Sequence, residues 1–78
     1  MRDYGLSPRA VEKLADLQAT DSELDAIEIA VAELAAKPKS GYLLPFQYSK
    51  TLRRYDVGRF ALIYQFNDKR LDVVTVVG

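Results

Sequence analysis

The sequence predicts an α+β fold: an N-terminal helical hairpin packed on an antiparallel sheet of three to four strands, as one domain over residues 1–78. Three observations predict it. Residues 21–36 set Leu24, Ile27, Val31 and Leu34 at three- and four-residue steps, with Glu23, Asp25, Glu28 and Glu33 off that stripe, the period of an amphipathic helix. Phe60, Leu62, Tyr64 and Phe66 alternate, the period of a half-buried strand. Seventy-eight residues, 49% of them apolar, suffice for one core and are too few for two.

Each element has its own warrant. The residues before Ser7 allow no more than one short strand. Ser7-Pro8 starts a helix, because serine caps the first turn and proline at the first position loses no hydrogen bond. Val11, Leu14, Ala15 and Leu17 follow as its apolar positions. Thr20 with Glu23 fits a capping box for the second helix, and a link of about two residues makes the helices an antiparallel hairpin. Pro38 disfavours helical geometry at Lys37, so that helix ends at Ala36. Pro45 demotes Tyr42-Leu43-Leu44-Pro45-Phe46 to a surface segment or edge. Strands are expected at about 49–56, 59–66 and 70–77, with Asn67-Asp68-Lys69 as the last turn. The final strand is β-branched and apolar on both faces, which suits an interior position. The helices cover one face of the sheet. For the other face two readings stand: a partner-binding surface, or Asp72, Val74 and Val76 packed under loop 42–48 with Leu43, Leu44 and Phe46 as a lid.

Composition limits the chemistry. There is no cysteine and no histidine, so disulfides and thiolate or imidazole metal sites are ruled out. Catalysis would have to use Arg, Lys, Tyr or carboxylates. No cofactor is expected. No stretch reaches the roughly 20 apolar residues of a membrane span, and Met1-Arg2-Asp3-Tyr4-Gly5 lacks the apolar run of a signal peptide. The expected compartment is the cytoplasm, with no membrane partner. Net charge is zero, yet residues 1–36 hold three basic and eight acidic side chains, and residues 37–78 hold eight basic and three acidic. The helical half is therefore acidic and the strand half basic. Either these are ordinary solvated faces, or arginines held on a stiff sheet invite an anionic partner. The zero total argues against strong non-specific nucleic-acid binding.

Two helices, a Lys-Pro-x-x-Gly loop at 37–41, the run Leu52-Arg53-Arg54-Tyr55-Asp56-Val57-Gly58-Arg59-Phe60-Ala61-Leu62-Ile63-Tyr64 and the closing Val76-Val77-Gly78 together resemble the RelE/ParE toxin superfamily of type II toxin–antitoxin systems. The likeness covers about residues 3–78. It implies a helical hairpin on a curved antiparallel sheet, and a cognate antitoxin as partner. It also implies one of two targets: the ribosome and its mRNA, cut by the RelE branch, or DNA gyrase, inhibited by the ParE branch. Arg53 and Arg54 match the basic strand of the nucleases, one expected to face the rim of the helices and the other the open face, and with Arg59 they are the candidate catalytic or target-contacting residues of the cationic working face. Where the nucleases carry a Tyr-Arg pair after the turn, this chain has Phe60-Ala61. Arg59, at the strand parity of Ala61, is the expected partial substitute. The basic and tyrosine residues that follow the Val-Gly ending are lacking. Each missing element of 2′-hydroxyl chemistry is worth about two to four decades in rate. The implied function is therefore a toxin that is ParE-like or catalytically weakened. The alternatives are a RelE-type mRNA endonuclease and a non-catalytic interaction module on the same fold. Tyr55 and Tyr64 could supply a phenol, although Tyr64 belongs to the apolar set; Tyr42 and Tyr48 are loop tyrosines.

Overall fold

A computed structural model describes residues 2–45 and 51–78. The chain runs β1 (Asp3–Leu6), α1 (Pro8–Asp16), α2 (Asp21–Ala36), a 3₁₀ turn (Pro38–Ser40), β2 (Tyr42–Leu43), β3 (Arg53–Val57), β4 (Phe60–Phe66) and β5 (Arg70–Val77). The strands form one sheet in the order β1-β5-β4-β3-β2.

The helix signals are local and hold. The Ser7 hydroxyl accepts from the Ala10 amide at 3.1 Å. Thr20 and Glu23 close the capping box, at 3.2 Å from the Glu23 amide and 3.0 Å from the Thr20 amide. The link between the helices is longer than expected. Four residues, Leu17 to Thr20, lie between α1 and α2, and Gln18 takes a left-handed φ of 54°. Its amide donates to the Ala15 carbonyl while the Ala19 amide donates to that of Leu14, both at 3.1 Å. This is the Schellman ending, made here without glycine. The turn aims the helices at different parts of the sheet. α1 packs mainly on β5, and α2 crosses β1, β5 and β3. The expected hairpin is thus two helices that each pack on the sheet. In α1 the buried positions are Ala10 and Leu14, whereas Val11 is exposed. In α2 they are Ile27, Ala30, Val31, Leu34 and Ala35, with Leu24 near the surface.

The sheet departs from expectation in count and direction. It has five strands and is mixed, because β1 pairs parallel to β5, Tyr4 beside Leu71 and Leu6 beside Val73. The reason is in β5: an apolar interior strand needs a neighbour on each side. β4 supplies one and β1 the other. Ser7 fastens the join, its amide to the Val73 carbonyl at 2.9 Å and its hydroxyl to that of Val74 at 2.6 Å.

β2 is the far edge, two residues long and ahead of Pro45, as proline placement requires. β3 begins at Arg53 and runs to Val57, so Thr51 and Leu52, inside the expected strand at 49–56, are not part of it. The part of the expected strand at 49–50, and the expected lid residue Phe46, lie outside the described residues. The β3–β4 turn is Gly58-Arg59, since Val57 pairs with Phe60, so Arg59 is a turn residue and not the start of a strand. Gly58 has φ 58°, the conformation that favours glycine in a two-residue hairpin.

The core gathers Ala10, Leu14, Ile27, Val31 and Leu34 from the helices against Phe60, Leu62, Tyr64, Leu71, Val73 and Val76 from the sheet. Val76 belongs to it because the register slips between Ile63 and Tyr64: Ile63 faces Thr75 and Tyr64 faces Val73. The extra residue, Val74, reverses the parity of β5 beyond it. The expected grouping of Asp72, Val74 and Val76 on one face is therefore corrected. Ala61 and Ile63, of opposite parity, are also buried, so β4 is enclosed on both sides. Leu43 is no lid for that far face. It lies beside Arg53 on the helix side of the sheet and is exposed.

Candidate functional site

The registers fix where the three expected arginines point. Arg53 stands opposite Tyr64, Arg54 opposite Ile63 and Tyr55 opposite Leu62. Alternate residues of a strand face opposite ways, so Arg53 is on the helix side and Arg54 on the far face.

Arg53 donates to the Gly41 carbonyl at 2.9 Å and lies 5.9 Å from the centre of the Phe66 ring. Arg54 is tied to Asp56, two residues on along the same face, at 2.9 Å. That hydrogen bond, then the Asp56 charge, raises the guanidinium's pKa further, so it stays a cation. Arg59 turns back to the link between the helices. It grips Glu23 with both ends of the carboxylate, at 2.6 and 3.1 Å, and donates to the Leu17 carbonyl at 3.1 Å. It also lies 4.4 Å from the centre of the Phe60 ring. The Arg59 hydrogen bond, followed by that of the Thr20 amide, lowers the Glu23 carboxyl from 4.5 to about 2.

The three side chains do not converge on one point. Only Arg54 faces the side of the sheet away from the helices. Arg59 is engaged on the helix side and does not stand in for the missing cation at 61. Ala61 itself lies between Asp56 and Val77 and is buried. The far face carries a second pair of the same kind, Arg70 to Asp72 at 2.6 Å, so its arginines come with neutralising aspartates.

The tyrosines divide as their parity predicts. Tyr64 is fully buried. Its hydroxyl accepts from the Gly41 amide at 3.1 Å and donates to the Pro38 carbonyl. Burial pushes its pKa up, so it is a structural hydroxyl and no base at neutral pH. Tyr55 packs half-buried against the core. Tyr42 is exposed beside Arg54. Tyr48 lies outside the described residues.

Sequence reasoning passed over two features. One is a groove of about 320 Å³ between β1 and the helices, lined by Tyr4, Leu6, Leu14, Leu24, Ile27 and Val31 with Glu28 at hand. Tyr4 and Leu24 leave apolar surface exposed in it, and exposed Ile29 lies in the neighbouring depression that shares Tyr4 and Glu28. Its signal was present in the doubly apolar α2, where Ile29 lies off the buried stripe. The other is a gathering of cations at the C-terminal end of α2, where Arg2, Lys37 and Lys39 line a hollow with Phe66. These positions are far apart in sequence, and only the β1–β5 pairing brings Arg2 there. No helix among the described residues is long and apolar enough to cross a membrane.

The family model described as the ParE toxin of the type II toxin–antitoxin system parDE matches residues 4–78. No curated protein matches the chain.

Proposed function

The chain belongs to the ParE toxin family of type II toxin–antitoxin systems, and from that premise we propose that it acts as a ParE-like toxin, by binding a protein target such as DNA gyrase and not by cutting mRNA on the ribosome. The observation that carries this reading is the separation of Arg53, Arg54 and Arg59. A 2′-hydroxyl attack needs a base, an acid and phosphate-charge stabilisation around one bond. Here one guanidinium faces away from the helices, and two of the three are bound to carboxylates at 2.9 and 2.6 Å. The buried phenol of Tyr64 and the alanine at 61 support the same reading. Arg54, on the far face beside exposed Tyr42, is the residue we assign to target contact.

The family implies an antitoxin partner. We assign the antitoxin to the groove flanked by Tyr4, Leu24 and Ile29, because a persistent exposed apolar surface needs a cover. The working compartment is then the cytoplasm, where gyrase and nascent antitoxin are found.

The test is induction of the chain in a bacterial host, alone and with the antitoxin encoded beside it. Growth arrest, inhibited supercoiling by purified gyrase and no new cleavage within codons on primer extension are the expected results. Ribosome-dependent cuts in translated mRNA would overturn the branch assignment. Arg54→Ala should relieve the arrest with little change in melting temperature, since its ion pair is exposed and such pairs add little stability. An arrest of undiminished strength would remove Arg54 from the target contact.

A further inference from the structure

We propose that the hollow at the C-terminal end of α2 binds a phosphate monoester, as the phosphate of a small nucleotide or the 5′ end of a nucleic-acid strand. The inference stands apart from the toxin reading. The hollow measures about 510 Å³ and is lined by Arg2, Lys37, Lys39, Ser40 and Phe66, with Ala36 and Pro38 as apolar wall. That size is in the usual range for small-ligand sites. Arg53 adjoins it through the same aromatic ring: Arg2 lies 5.2 Å and Arg53 5.9 Å from the centre of Phe66.

Two of these cations are held in place by neutral groups. Arg2 donates to the carbonyls of Asn67 at 2.6 Å and Ala35 at 3.2 Å, and Arg53 donates to that of Gly41 at 2.9 Å. The loop that carries Lys37 and Lys39 is pinned by the buried Tyr64 hydroxyl, through the Gly41 amide and the Pro38 carbonyl. Capping of the last carbonyls of α2 accounts for Arg2. The negative end of α2 also favours Lys37 and Lys39, but it does not account for Arg53, which comes from β3.

The treatment of charge elsewhere makes the contrast. Arg54, Arg59 and Arg70 each hold a carboxylate within 2.9 Å. Among the described residues, Arg2, Arg53, Lys37 and Lys39 are in no ion pair, and residues 46–50 include no acid. Like charges that line one hollow repel, and a bound anion would relieve the repulsion. A phosphate dianion suits this set better than one carboxylate. It offers three oxygens, matches the guanidinium fork and accepts the point charge of lysine. The zero net charge of the chain disfavours a long polyanion track, which points to a terminal phosphate.

The experiment is a ¹⁵N amide titration of the intact protein with pyrophosphate, AMP, and a six-nucleotide single strand with and without a 5′ phosphate. Saturable shifts at Lys37, Lys39, Ser40, Gly41 and Asn67 are expected. Lys37→Ala/Lys39→Ala should weaken binding about tenfold or more, while Arg9→Ala/Lys13→Ala on α1 leaves it unchanged. Binding of pyrophosphate and AMP without the strand identifies a free nucleotide as the source. Binding of the strand only when phosphorylated identifies a strand end. Absence of saturable shifts, or equal loss in the α1 variant, overturns the proposal. A hexaglutamate peptide that binds as tightly as pyrophosphate also overturns it, in favour of an acidic protein segment.

Discussion

Two side chains, Glu23 and Tyr64, each join separate parts of the chain, and each can be tested alone. Glu23 serves the helix start and the β3–β4 turn at once, because it accepts from the Thr20 amide and from Arg59. Its carboxyl is lowered from 4.5 to about 2, so the ionised form is favoured by folding. That contribution is complete above pH 4.5 and is lost as pH falls towards 2. Chemical denaturation of wild type and Glu23→Gln should therefore differ by a constant amount at neutral pH, and the difference should narrow below pH 4.5 and level off only below pH 2. Tyr64 is the second. Tyr64→Phe keeps the ring in the core but leaves the Gly41 amide and the Pro38 carbonyl without their partner. Urea unfolding should register a loss of about 1–3 kcal/mol, the cost of stranding buried polar groups. The alternation of Phe60, Leu62, Tyr64 and Phe66 already gave Tyr64 to the core. What it could not reveal was the hydroxyl's partners, which lie 23 and 26 residues away in sequence.

At the scale of elements, most of what depended on neighbouring residues was legible. Both helix starts, the end of α2 before Pro38, the demotion of Tyr42-Leu43 to an edge and the Asn67 turn all rest on contacts within a few positions. In that turn the Asn67 side-chain oxygen accepts from the amides of Lys69 and Arg70 at 2.8 and 2.9 Å. The end of α1 was less legible, because its left-handed residue is Gln18, where glycine or asparagine would have marked it. The exposed Gln18 at φ 54° is a place where backbone strain can be removed. Gln18→Gly should raise stability by about 1 kcal/mol in thermal or urea melts. Thr20→Ala, which opens the capping box, should lower it by about 1 kcal/mol. The bulge at Val74 left no trace in the sequence, since an inserted residue in a run of valines looks like one more valine. It alone moved Val76 into the core. The same blindness split the arginines. Arg53 and Arg54 are adjacent, so period-2 geometry separates them at once, but the reach of Arg59 to Glu23 joins residues 36 apart.

Across the whole molecule, the opposed charges of the two halves of the sequence form three ion pairs among the described residues, and the cations at the end of α2 are not among them. A −5 half and a +5 half meet at Arg59–Glu23, and the far face is balanced by Arg54–Asp56 and Arg70–Asp72. A balanced face is a poor track for phosphates and a fitting one for a protein surface. On the other side the apolar groove remains. Ile29, 62% exposed, contributes little to the core, so Ile29→Asp should melt normally yet reduce co-purification of the antitoxin at least tenfold; undiminished capture would move the antitoxin elsewhere. The parallel join of β1 to β5 has a temporal consequence. The Ser7 hydroxyl and the Val74 carbonyl it binds are 67 residues apart. During synthesis residues 3–6 emerge first and must wait for nearly the entire domain before their pairing strand exists. Nascent chains arrested before residue 70 therefore lack the strand between β1 and β4 and leave uncovered the apolar side of α1, which packs mainly on β5. Such fragments are open to proteases, and the sheet closes only once β5 is available to stand between β1 and β4.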